Sequence, residues 1–259
     1  MTIGLLRPQI KTAMGQKLFR ISIFYAIALL GSYIFRIAKP DWFSNLTLPG
    51  GFTAFKYLAE GAGPALGALL VILAFKPKLK ITFWGSSLKW SLIMLAVPMV
   101  LFTGMGVQNE LGLHPNYYGF LVGVVSMLYV ILEELGWRGY FLNELRGEKM
   151  SAWARAAIIG TLWFAWHLNF NFEGEMLKQQ LIFWALMIFG SWGFEKITDV
   201  TNSVVSVACF HLLGSILGYN MLIQNGLNET QKMILFGVCL VSWIVIVNLW
   251  KKENLKTQL

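Results

Sequence analysis

What most constrains this chain is the recurrence of apolar stretches long enough to cross a lipid bilayer, separated by short polar breaks. A bilayer-spanning helix needs about 20 consecutive, mostly apolar residues, and eight stretches fit: 18–36, 57–75, 85–106, 118–145, 154–171, 179–195, 202–222 and 232–250. Of the 259 residues, 56% are hydrophobic and 13% charged, against about 25% charged in soluble domains. The sequence therefore predicts an all-α, polytopic membrane protein, a bundle of about eight transmembrane helices. No linker, low-complexity tract or repeat divides it, so a single membrane domain over 1–259 is expected. Cys209 and Cys239 sit in apolar runs without disulfide or metal spacing and are expected to be small core residues.

The basic residues set an orientation, because short cytoplasmic loops are enriched in Lys and Arg. Arg7, Lys11, Lys17 and Arg20 precede the first stretch without a small-residue cleavage site, which predicts a retained helix with its N-terminus inside. On that assignment the cytoplasmic side also receives Lys76, Lys78, Lys80, Lys89, Arg138, Arg146, Lys149, Arg155, Lys196, Lys251, Lys252 and Lys256. The other side receives Arg36, Lys39, Lys56, Lys178 and Lys232. Eight spans with both termini cytoplasmic satisfy this bias. The net charge of +8 is accounted for by basic flanks against anionic lipid headgroups and calls for no nucleic acid. Short loops and the lack of added domains point to a bacterial plasma membrane.

Few polar groups are stranded at depth in this frame. Glu133 and Glu134 lie in an apolar run, His167 follows Trp163, Phe164, Ala165 and Trp166, and His211 follows Cys209 and Phe210. His114, beside Pro115 in a short loop, reads as solvated. A charged side chain at the bilayer centre costs roughly 2.5 to 3.5 kcal/mol on insertion scales, so two adjacent carboxylates demand partners, water or chemistry. At 1.5 Å per residue, Glu133 and His167 fall about 18 Å and His211 about 14 Å from the same face, one common depth. Glu134 and Arg138 are four residues apart, with the acid on the favourable N-terminal side, so they are expected to pair within the helix. Glu133 is then about 100° away around the axis and free to face the histidines. This spacing gives Glu133 the chemistry and Glu134 the support. A carboxylate with two imidazoles can activate water and stabilise an oxyanion; Glu133, His167 and His211 would equally suit a three-ligand zinc site with an open position. The residues alone leave both open.

These residues resemble the CPBP (CAAX protease and bacteriocin-processing, or Abi) family of intramembrane endopeptidases, related to type II CAAX prenyl endopeptidases. Its Glu-Glu-x-x-x-Arg motif stands as Glu133, Glu134 and Arg138, followed by Gly139-Tyr140-Phe141. Its aromatic-x-x-x-His motif stands as Trp163 and His167, and its later His, after a Thr-x-Ser turn, as Thr201-Asn202-Ser203 and His211. Glu60-Gly61-Ala62-Gly63-Pro64 is also similar to the family's earlier Gly-Pro helix start. The resemblance covers about 115–220, the expected catalytic core. It implies hydrolysis of a peptide bond in a membrane-associated protein or peptide. Glu133 would activate water with His167, His211 would contribute to the oxyanion site, and Glu134 and Arg138 would support them. The eukaryotic branch, which acts on prenylated CAAX proteins, places Asn four residues after the last His; this chain has Ser215 there.

Other classes are separable. The Gly-x-Ser-Gly loop of a rhomboid-type serine protease and the His-Glu-x-x-His of a site-2-type metalloprotease are both absent from the sequence. A proton-coupled transporter would use the same titratable groups, but repeated halves with broken helices are not seen. A catalytically silent scaffold or bacteriocin-immunity protein of the same fold is the remaining alternative.

Overall fold

The computed structural model describes residues 6–45, 54–170 and 173–257. Residue 171 of the expected fifth span and the side chains of Arg7 and Lys11 lie outside the described residues. Helices α1 (Leu6–Ser32), α2 (Asp41–Ser44), α3 (Ala54–Phe75), α4 (Leu88–Met105), α5 (Pro115–Glu134), α6 (Leu142–Arg146), α7 (Ala152–Trp166), α8 (Gly174–Thr201), α9 (Val204–Gly214), α10 (Met221–Gly226) and α11 (Glu229–Thr257) follow in order. Wider π-helical turns at Tyr33–Ala38, Leu135–Phe141 and Ser215–Tyr219 extend α1, α5 and α9. A chain in hydrocarbon must satisfy its backbone internally, which leaves the helix as the element these apolar runs can form. The one extended pairing among the described residues is an isolated bridge between Thr82 and Ser203.

Among the described residues, six continuous helical stretches are long and apolar enough to cross a membrane: Met14–Ala38, Lys56–Phe75, Leu88–Met105, Pro115–Arg146, Gly174–Thr201 and Glu229–Lys256. The protein is an integral, multi-pass membrane protein. The expected spans 154–171 and 202–222 correspond to shorter pieces. Helix α7 has 15 residues, about 22 Å at 1.5 Å each, against a hydrocarbon core of about 30 Å. It stops at Trp166, where the amides of His167 and Leu168 turn back to Phe164 and Ala165 and Leu168 takes φ +54°. Helix α9 has 11 residues before the π-helical turn and the break at Asn220. Both short helices stop inside the bundle, where ended backbone is tolerated because it borders a cavity.

Both also start from fixed points. The hydroxyls of Ser151 and Ser203 accept hydrogen bonds from the amides of Ala154 and Ser206, three residues on, each at 3.1 Å, the usual serine N-cap. Ser203 is further held because Thr82 donates to the Asn202 carbonyl at 2.9 Å and Val204 donates back to Thr82 at 3.0 Å. Around this end of the bundle, Arg20 meets Glu144 through two bonds of 2.9 Å, Arg146 meets Asp199 at 2.6 Å, Arg155 meets Glu195 at 2.5 Å, and Lys17 pairs with Glu148. These basic residues gather at one end, tied to acids on α6, on the turn after it and on α8. Arg138, grouped with them in the sequence, is fully buried instead.

Packing sets the spacing of α1, α3 and the turn after α5. A Cβ at Gly63 would fall 2.5 Å from the Ala28 carbonyl oxygen, and one at Gly136 would fall 2.4 Å from Pro64 Cβ and 2.7 Å from Pro64 O. Without a hydrophobic drive between helices in lipid, such close small-residue contacts are what hold them together. Phe24, Trp137, Tyr140, Phe141 and Trp166 pack over this contact, all buried, as are Cys209 and Cys239, which are free thiols in the core. Gly136→Ala is expected to destabilise the protein by about 1–3 kcal/mol through overpacking. Gly237→Ala, where nothing lies within 4 Å, should be neutral or slightly stabilising. Thermal unfolding in detergent micelles checks the pair.

Candidate active site

At the end of α5 the sequence places two acids side by side, and the helix gives them different surroundings. Both are buried, Glu133 1% exposed and Glu134 fully enclosed. Glu134 accepts two hydrogen bonds from Arg138 Nη1, at 2.8 and 2.9 Å, within the helix as the four-residue spacing predicts. Its Oε1 also accepts from His211 Nδ1 at 2.8 Å, a bond across the bundle to the acid next to the one expected to face the histidines. Arg138 in turn donates to Ser191 at 3.0 Å and lies between the rings of Trp163 and Phe194, at 4.4 and 4.6 Å.

Glu133 points elsewhere. Its Oε2 accepts from the indole Nε1 of Trp163 at 2.9 Å, and its Oε1 is 3.9 Å from Arg36 Nη2. It borders a cavity of about 780 Å³ whose wall also includes Arg36, Tyr57, Glu60, Tyr129, Trp163, His167, His211, Ser215 and Asn220, with an apolar side made by Phe183, Leu186, Met187, Phe194, Phe210, Leu217 and Leu222. Glu134 and Arg138 are not on that wall. The structure thus brings Glu133, His167 and His211 to one cavity and sets Glu134 and Arg138 behind it. Ser215 opens the π-helical turn after α9 and is nearly buried on the same wall.

Each imidazole is held in a defined tautomer. His167, the residue that ends α7, has Nδ1 2.8 Å from the Trp163 carbonyl oxygen. A carbonyl only accepts, and so does the ionised Glu134, so Nδ1 carries the proton in both rings and, in the neutral form, Nε2 carries a lone pair. Trp163 packs between them, its ring centroid 5.0 Å from His211 and 6.0 Å from His167. Its indole serves as donor and spacer.

Zinc would need three or four converged donors. Among the described residues no three His, Cys, Asp or Glu side chains gather closely enough to hold a metal ion. As placed, Glu133, His167 and His211 share a cavity without forming a ligand set.

Arg36, which the charge count put in an external flank, stands on the cavity wall, in the π-helical turn after α1. Its Nη2 donates to the Tyr129 hydroxyl at 2.7 Å, and its guanidinium lies 3.9 Å over the Trp166 ring. Glu60, from the Gly-Pro region, and Asn220, whose amide donates to Ser126 at 2.9 Å, are on the wall as well. The signal for Arg36 was available: a lone cation at the end of an apolar span, able to fold its stem inward.

Removing one partner of a buried pair strands a charge and typically costs 3–5 kcal/mol. Arg138→Met, which leaves Glu134 on His211 alone, is expected to lower stability by that amount, whereas Lys196→Met, at an exposed pair with Asp199, should change it by about 0–1 kcal/mol. Thermal unfolding of the two variants side by side tests this.

Residues 115–217 match the family model described as type II CAAX prenyl endopeptidase Rce1-like. No curated protein matches the chain.

Proposed function

The chain carries a domain of the Rce1-like family over residues 115–217, and from that premise we propose that it is a glutamate-dependent intramembrane endopeptidase of a bacterial plasma membrane. Domains of this family belong to membrane-embedded proteases, which implies a bilayer and a membrane-associated substrate. The observation that supports the finer reading is the division of the two acids. Glu133 lines the same cavity as both histidines, while Glu134 is saturated behind it by Arg138 and His211.

Glu133, with acceptor sites left beyond Trp163, takes a proton from a water molecule as the water oxygen bonds to the carbonyl carbon of the scissile peptide. The carbonyl π pair moves onto its oxygen. The C–N bond then breaks, the pair returns, and the proton passes to the departing nitrogen, leaving a carboxylic acid and an amine. His167 and His211 support this with their Nε2 atoms, as acceptors while neutral and as donors once protonated. Glu134 fixes the His211 ring, and Arg138 holds Glu134. The apolar wall suits a lipid-like or strongly apolar segment, and a prenylated CAAX-type terminus is the substrate that the matched family suggests.

Purified protein and libraries of prenylated and unprenylated peptides test the reading. Glu133→Gln is expected to reduce kcat at least 100-fold, as loss of a general base does. His167→Ala and His211→Ala should each reduce it at least 10-fold, with the fold intact by circular dichroism. Chelation should leave the rate unchanged. Activity surviving Glu133→Gln sinks the mechanism, and loss on chelation restored by zinc replaces it with a metal-dependent one.

A further inference from the structure

Attack on a peptide carbonyl needs a proton acceptor for the water and a donor already in place for the oxygen that becomes charged. The first part of this cavity is well supplied and the second is not. Both histidines give their Nδ1 protons away from the cavity, to the Trp163 carbonyl and to Glu134, each at 2.8 Å. In the neutral rings Nε2 can only accept. The Trp163 indole proton is spent on Glu133, and one Asn220 amide proton is spent on Ser126. The neutral side-chain donors that remain on the wall are the second amide proton of Asn220 and the hydroxyls of Tyr57, Tyr129 and Ser215.

Arg36 differs from these in charge and from the other arginines in pairing. Five arginines have described side chains. Four close onto a carboxylate: Arg20 at 2.9 Å, Arg138 at 2.8 Å, Arg146 at 2.6 Å and Arg155 at 2.5 Å. Arg36 stands 3.9 Å from Glu133 Oε1, too far for a direct hydrogen bond and wide enough for an oxygen atom to bridge. Its guanidinium cannot lose its proton at any working pH. It is also held in place before any substrate arrives, by the Tyr129 hydroxyl at 2.7 Å and by stacking 3.9 Å from Trp166. Trp166 is itself fully buried and donates to the Ala28 carbonyl at 3.0 Å.

We infer that Arg36 is a further catalytic residue, the electrophile that binds the carbonyl oxygen of the scissile bond and stabilises the oxyanion as water attacks from the Glu133 side. The inference rests on the protease reading and adds a residue outside the matched segment. The step balances as written above: the π pair that moves onto the carbonyl oxygen is met by an N–H of Arg36, no proton is transferred to or from Arg36, and the pair returns when the C–N bond breaks. With Glu133 and Arg36 side by side, the nucleophile and the oxygen it charges are addressed by opposite fixed charges across one short gap.

An interaction made only in the transition state lowers kcat and leaves KM in place when it is removed, which a merely structural role does not do. With the fastest peptide from the library, Arg36→Gln is expected to lower kcat about 100-fold, the usual effect of losing one such donor, with KM within about threefold. A phosphinate analogue of that peptide, whose tetrahedral anion imitates the charged intermediate, should lose affinity by a similar factor, while a reduced-amide analogue binds as before. Arg36→Lys should recover part of the rate, and methylguanidinium should recover part of it in Arg36→Ala. If Arg36→Gln is not recovered folded, Arg36→Met keeps the apolar contact with Trp166 and is read in the same way. Wild-type phosphinate affinity in a folded, charge-free variant, or kcat within threefold of wild type, overturns the inference alone. A wild-type protein that cleaves no peptide overturns the protease reading and this inference with it.

Discussion

Two carboxylates buried on adjacent residues are the constraint from which the rest of this structure follows. Burying a charge without a partner costs several kcal/mol even after the surroundings relax, and consecutive helical residues cannot share one partner because they face about 100° apart. The fold therefore supplies two separate environments. One is closed, with Arg138 and His211 on Glu134 and Trp163, Phe194 and Ser191 around the guanidinium. The other is open, with Trp163 donating to Glu133 and the cavity in front of it. Trp163 belongs to both: its face covers Arg138 and its edge donates to Glu133, so the two environments keep a fixed spacing.

The open environment exists because two helices are short. A continuous helix at the position of α7 or α9 would fill the space with side chains. By ending at Trp166 and giving way to a π-helical turn at Ser215, these helices leave a chamber into which His167 and His211 project. Their starts are pinned by serine caps and, for α9, by the bridge to Thr82. At 1.5 Å per residue, the eight residues from Ser203 place His211 about 12 Å along α9 from that anchor. Length counted from a fixed end, rather than loop conformation, sets where each imidazole lies.

Much of this was legible in the sequence. All eight apolar runs are helical over most of their length, because apolar length in a bilayer allows little else, and the Glu134–Arg138 pair follows from helical spacing alone. The positions of Glu133, His167 and His211 on one wall agree with a depth count along three helices. The lengths of α7 and α9 were not legible: residues 167–171 and 215–222 continue apolar or neutral, and hydropathy does not separate a helix from apolar backbone lining a cavity. The His211–Glu134 bond was hidden because it joins residues 77 positions apart, which no local spacing rule reaches. The place of Arg36 on the cavity wall was missed for a related reason. Counting cations by loop assigns every Arg near a span end to water, while a guanidinium stem is long enough to turn back and stack on Trp166.

The asymmetry between Glu133 and Glu134 carries a chemical consequence beyond placement. An acid that accepts from a guanidinium twice and from an imidazole once has its lone pairs engaged and its charge matched. Glu133, which accepts from the Trp163 indole with a cation 3.9 Å away, borders the cavity. The hydrogen bonding that makes Glu134 a good structural residue closes it off, and what leaves Glu133 less completely paired leaves it within reach of a water molecule. Proximity of an arginine is therefore not a sufficient sign of a structural pair in such a bundle. The distance decides, and at 3.9 Å the cation is close enough to steady a charge without closing a direct hydrogen bond, so that an oxygen beside the pair can bond to both.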